Sequence, residues 1–100
     1  MTILQSVIEY AQERGIIVDA HRLPNLRAVT VQIPGRYVIG YDPDAFDTDE
    51  DAAEAIAHEL GHILTGTLYA VDAPKNERLA AEGKANSAKI ELLEILRRGR

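Results

Sequence analysis

The run His58-Glu59-Leu60-Gly61-His62 constrains this chain more than any other stretch. The H-E-x-x-H spacing has chemical meaning on a helix, where the two histidines stand one turn apart on one face. The flanks predict a helix over about 49–65. Thr48 with Asp51 resembles a capping arrangement, Asp49, Glu50 and Asp51 suit the positive end of a helix dipole, and Gly66 is placed as the stop. Ala52, Ala53, Ile56, Leu60, Ile63 and Leu64 make a broad apolar face, and at about 100° per residue His58 and His62 fall nearly opposite it. Such a helix needs a core under one side and either a cover or a cleft over the other. Two imidazoles so placed can share a metal ion, with Glu59 beside it as a general base.

The remaining sequence reads as scaffold for one domain, residues 1–100, with 46 % apolar residues to build a core. Thr2 and Gln5 fit a capping box, Ile3, Leu4, Val7, Ile8 and Ala11 share a face, and Gly15 is placed to stop a helix over 2–14 in a left-handed conformation. Ile16-Ile17-Val18 is β-prone, and 19–27 is a loop in which His21 reads as a solvated side chain. Ala28 to Ile33 alternates, with Val29, Val31 and Ile33 on one side. Pro34-Gly35 is a turn signal and Arg36 to Tyr41 a second strand, so the pair forms an antiparallel hairpin. A type II Pro-Gly turn has the wrong twist for a two-residue hairpin, which predicts a longer loop. Gly40 reads as a bulge or a close backbone approach. A last helix opens near Asp72 and Pro74 and runs to about 97, with Ala81, Ala85, Ala88, Leu92 and Ile95 as its apolar stripe and a bend or break at Gly83. The fold class is therefore α+β: an N-terminal helix, a small antiparallel sheet of about three strands, the H-E-x-x-H helix and a C-terminal helix.

Composition removes several functions. The absence of cysteine excludes a disulfide scaffold, a thiolate metal site and a cysteine nucleophile. No run of about 18 apolar residues is present for a membrane span, and the N-terminus lacks the pattern of a signal peptide, so a cytoplasmic location is expected. Net charge is −5, with much of the acid between Asp42 and Glu54, a poor surface for nucleic acid. The acidic loop Asp42–Asp47 lacks the calcium-loop pattern. The basic tail, Arg97-Arg98-Gly99-Arg100, suits a helix C-terminus.

A catalytic zinc site takes three protein ligands and leaves one position open. With two histidines in place, a downstream carboxylate is the natural third. Asp72, Glu77, Glu82, Glu91 and Glu94 are the candidates. Glu91 and Glu94 read as surface charges and Glu77 lies in a strongly polar first turn. Glu82 lies at the edge of the small-residue stripe, where the helix presses on its neighbour, and is favoured.

His58-Glu59-Leu60-Gly61-His62, followed by Glu82-Gly83-Lys84-Ala85-Asn86, resembles the ImmA/IrrE family of zinc metallopeptidases, with its H-E-L-G-H helix and downstream E-x-x-A-N. Gly66, Tyr69 and the upstream order of helix, strands and helix extend the likeness. The resemblance implies a minimal zincin-like domain in which His58, His62 and Glu82 bind one zinc ion and Glu59 is the catalytic base. It implies a protein substrate, a helix-turn-helix transcriptional repressor, in a phage, mobile-element or stress-response setting. The chain differs from some members in ending soon after the last helix and in having no helix-turn-helix of its own. The reaction expected is peptide hydrolysis, with the peptide added as a strand at an exposed sheet edge such as Tyr37–Tyr41 and Tyr69 available to a developing oxyanion. The alternative is a zinc-binding regulator, an anti-repressor or interaction module, that holds its partner without cutting it.

Overall fold

A capped helix opens the chain of the computed structural model, which describes residues 1–70 and 72–99. Val71, between the predicted helix stop at Gly66 and the predicted last helix, and Arg100 of the basic tail lie outside the described residues. In α1 (Ile3–Glu13) the Thr2 hydroxyl accepts from the Gln5 amide at 3.1 Å and the Thr2 amide donates back to Gln5 Oε1 at 2.8 Å. Gly15, at φ 75°, then turns the chain into β1 (Ile17–Ala20). β2 (Ala28–Ile33) and β3 (Arg36–Tyr41) follow, then a 3-10 turn at Pro43–Ala45, α2 (Asp49–Thr65) and α3 (Lys75–Gly99). The α+β class and the order of elements are as the sequence predicts.

The sheet departs from the prediction in four respects. It is mixed, because β1 runs parallel to β3 while β2 pairs antiparallel with it. A period of two shows which residues share a face but not which way a neighbouring strand runs. The order is β1-β3-β2, so Tyr37–Tyr41 is the central strand and offers no free edge. The edges are β1 and β2. The hairpin turn is tight: Ile33 pairs with Arg36, leaving only Pro34 and Gly35, the latter at φ 77°. Both turn residues are exposed, so the twist mismatch meets no packing constraint. Gly40 sits in regular register with Asp19 and Val29, and a Cβ there would meet Val29 at an ordinary 3.6 Å; it marks neither a bulge nor a close approach.

The core lies between one sheet face and the helices. Val7 and Ala11 of α1, Ile39 of β3, Ala53, Ile56, Ala57 and Leu60 of α2, and Leu92, Leu93 and Leu96 of α3 form one buried cluster. α3 is unbroken through Gly83, whose position has nothing within 4 Å on its open side. Its buried stripe keeps Ala81, Ala85 and Leu92 but then takes Leu93 and Leu96, leaving Ile95 63 % exposed. Leu92, Leu93 and Leu96 share one core cluster with Val7 and Ala11 of α1 as well as with α2, so the buried face follows both partners. Leu64, in the last turn of α2, is also exposed, outside the core cluster. Arg97 pairs with Glu50 of α2, and Arg98 with Glu94 at 2.6 Å, which places both arginines in the last turn of α3. No described helix is long and apolar enough to cross a membrane.

Ile56→Ala should lower stability by about 2–5 kcal/mol, because the side chain is fully buried among neighbours that cannot all collapse into the gap. Urea denaturation should show the midpoint falling at unchanged slope, while Leu64→Ala stays within about 0.5 kcal/mol.

Candidate metal centre

α2 is set in place at both ends. The Thr48 hydroxyl accepts from the Asp51 amide at 3.1 Å, and Gly66 closes the helix at φ 64°. His58 and His62 project from the side facing α3, so the cover that the histidine face requires is α3 itself. The two helices approach closely at Gly61. A Cβ built there would stand 2.4 Å from the Ala85 carbonyl oxygen, closer than real Cβ contacts permit. Ala85 is fully buried at the same contact. A glycine facing an alanine therefore brings the backbones together, and the neighbours of Ala85 in α3, Glu82 and Asn86, come over the histidines as a result.

His58, His62 and Glu82 each offer one ligand atom, all within 4.8 Å of one another, and form a group able to hold a metal ion. His58 Nε2 lies 2.6 Å from Glu82 Oε2, and His62 Nε2 lies 3.4 Å from Glu82 Oε1. The outer nitrogens are also engaged. His58 Nδ1 is 2.9 Å from Asn86 Oδ1, and His62 Nδ1 is 3.2 Å from both the carbonyl oxygen and the hydroxyl of Thr67. A carbonyl oxygen can only accept, so His62 Nδ1 carries a proton; an Asn86 Oδ1 imposes the same on His58. In the neutral imidazoles both Nε2 lone pairs then point inward, toward a carboxylate that is also an acceptor. Acceptors so close need a positive centre between them: a proton on Nε2 serves in the metal-free site, and the chemistry of the donor set fits a borderline divalent ion.

The carboxylate is prepared for that role. Burial opposes ionisation of Glu82, but the Tyr69 hydroxyl, donating to Oε1 at 2.6 Å, and the positive charge of the two nearby imidazoles when they are protonated outweigh it and hold the Glu82 pKa below its ordinary value. The same hydrogen bond to Glu82, with some desolvation, raises the pKa of Tyr69, whose ring stands edge-on to His62 at 5.9 Å. Glu59 points to the other side of His58, where its Oε1 accepts from Thr30 Oγ1 of β2 at 2.8 Å. Beside His58 and Glu59 opens a cleft of about 420 Å³, walled by α2, by Phe46 and the 25–28 segment, and by Lys89 of α3. His62 is buried at 5 % exposure, whereas His58 faces this cleft.

Of the five carboxylates weighed as a third ligand, only Glu82 joins the histidines. Asp72, Glu77 and Glu91 are exposed elsewhere, and Glu94 pairs with Arg98. His21 stays in its loop, exposed. Three contributors are given no role by the sequence, although Asn86 closes the E-x-x-A-N pattern. Asn86 follows Glu82 by one turn and was within reach of a same-face argument. Thr30 is a polar residue in an alternating strand, and Thr67 acts through a carbonyl as well as a hydroxyl, so neither carries a sequence signal. Compared with family models, curated proteins and solved structures, the chain gives no match.

Asn86→Ala should weaken divalent-metal affinity by about 10–100-fold while leaving the fold intact, as read by chelator competition and circular dichroism. Gly61→Ala should lower both affinity and stability, because the added methyl group has no room against Ala85. In the metal-free protein, a Glu82 pKa depressed in the folded state contributes stability that is fully present above the ordinary value of 4.5 and is lost as pH falls through the lower folded value. Stability measured from pH 5 downward should therefore fall less steeply in Glu82→Gln than in the parent.

Proposed function

We propose that this chain is a zinc-dependent metallopeptidase of the ImmA/IrrE type. The observation that carries the proposal is the convergence of His58, His62 and Glu82 from two helices, with Glu59 next to His58 at the mouth of an open cleft. Two imidazoles and one carboxylate are the ligand set of hydrolytic zinc sites, and zinc bound there supplies Lewis-acid polarisation of a carbonyl and acidification of a water. Glu59 takes the proton of the attacking water and delivers it to the leaving amine. Thr30 holds one oxygen of that carboxylate at 2.8 Å and leaves the other free for proton transfer. Tyr69 donates its one hydroxyl proton to Glu82, and its proposed part in the reaction is to turn that proton from Glu82 to a developing oxyanion. The peptide adds as a strand to the free edge of β2, the edge strand that carries Thr30. We propose as substrate a helix-turn-helix repressor encoded beside this chain, in the cytoplasm of a cell carrying a phage, mobile element or stress operon.

The test is to incubate purified protein, loaded with zinc, with the repressor encoded by the neighbouring gene. Fragments that disappear on adding chelator are expected. Glu59→Gln should keep zinc stoichiometry and lose about 10²–10⁴-fold in cleavage rate. Normal cleavage by that variant would remove Glu59 from the role of base. A stable complex without fragments would identify a zinc-binding regulator in place of a peptidase.

A further inference from the structure

One edge strand of the sheet, β2, has its polarity turned around. β2 directs Ala28, Thr30 and Gln32 toward the helices and Val29, Val31 and Ile33 away from them. The register shows this: Thr30 pairs with Ile39, which is fully buried, whereas Val31 pairs with Val38. Val38 pairs in turn with Ile17, so Ile17, Val38 and Val31 form one apolar row across three strands. Ile17 is 37 % exposed, Val31 48 % and Ile33 40 %. A half-solvated sheet normally turns its polar residues outward, and a contiguous apolar patch marks a contact surface.

Two charges frame this row. Arg36 stands beside Ile33 at one corner, and Asp19 stands beside Gly40 at the other. Both side chains share the outer face with Val31, and they are separated by about 13 Å along the strands at ~3.3 Å per residue. Neither makes an ion pair among the described residues. A two-fold axis lying in the plane of the patch exchanges the two corners. Arg36 of one copy then meets Asp19 of the other, twice, while the apolar rows of both copies face each other. That is the self-complementarity an isologous interface requires, and the chain carries both halves of it.

We propose that this outer face is the contact of a homodimer, two sheets packed face to face about 10 Å apart. The metal centre lies on the opposite side of the sheet, with the helices, so both centres stay open in the dimer. The patch is a few hundred Å², below the roughly 800 Å² per partner of a standard interface, so the dimer dissociates on dilution.

Sedimentation equilibrium over a concentration series tests this. A monomer–dimer equilibrium is expected for the parent. Val31→Lys should be monomeric throughout, with an unchanged circular dichroism spectrum, since that side chain is already half exposed. Asp19→Arg and Arg36→Asp should each weaken association by about tenfold or more by setting like charges opposite one another, and the double reversal should restore it. A parent that stays monomeric at every concentration would overturn the proposal. So would a dimer indifferent to Val31→Lys, or a double reversal as weak as either single change.

Discussion

The contact of Gly61 with Ala85 is the constraint on which the rest of this molecule depends. Two helices carry the candidate ligands, and neither holds a complete set. They approach closely because one residue has no side chain at all and the other has a single methyl group. From that contact follow the position of Glu82 between the imidazoles, the reach of Asn86 to His58 and the burial of His62. The same pair of helices supplies most of the core: Ala53, Ile56, Ala57 and Leu60 on α2, and Leu92, Leu93 and Leu96 on α3. The hydrophobic effect thus holds the helices together at one end and the glycine sets their separation at the other. A metal ion bound between them would tie together elements that packing has already brought near, so its binding free energy adds to folding stability.

Much of this was legible from residue order. The caps at Thr2, Thr48, Gly15 and Gly66 are local chemistry, decided within four residues of where they act, and all four are present. The α2 span matches because a capped start, a 3.6-residue apolar period and a left-handed stop agree with one another. Glu82 was separable from Asp72, Glu77, Glu91 and Glu94 because it borders the small residues where two helices touch. What escaped is non-local. Strand direction and order depend on how loops cross, which alternation does not encode. The exposure of Ile95 depends on which helix its last turns meet. The outward facing of Val29, Val31 and Ile33 is the strongest case. Alternation shows that an apolar side exists, but it does not say that Glu59 takes its partner from the polar side.

That inversion links the sheet to the site. Thr30 must face α2 to reach Glu59, and a period of two then sends Val29 and Val31 the other way. The strand thus gives Glu59 a hydrogen-bond partner from one face and leaves the apolar residues of the other face half-exposed. A more conventional arrangement, with valines toward the helices, would bury more apolar surface within the chain and leave Glu59 without a partner on the sheet.

The stop of α2 has a consequence for acid–base chemistry. Gly66, at φ 64°, folds Thr67 back so that its amide donates to the His62 carbonyl at 2.9 Å and its own carbonyl meets His62 Nδ1. A backbone dihedral four residues away thus selects the tautomer of an imidazole. A β-branched residue at position 66 would resist that dihedral and swing the Thr67 carbonyl off the ring. The proton on His62 would then be free to migrate to the nitrogen that faces Glu82, turning a lone pair meant for a cation into a donor.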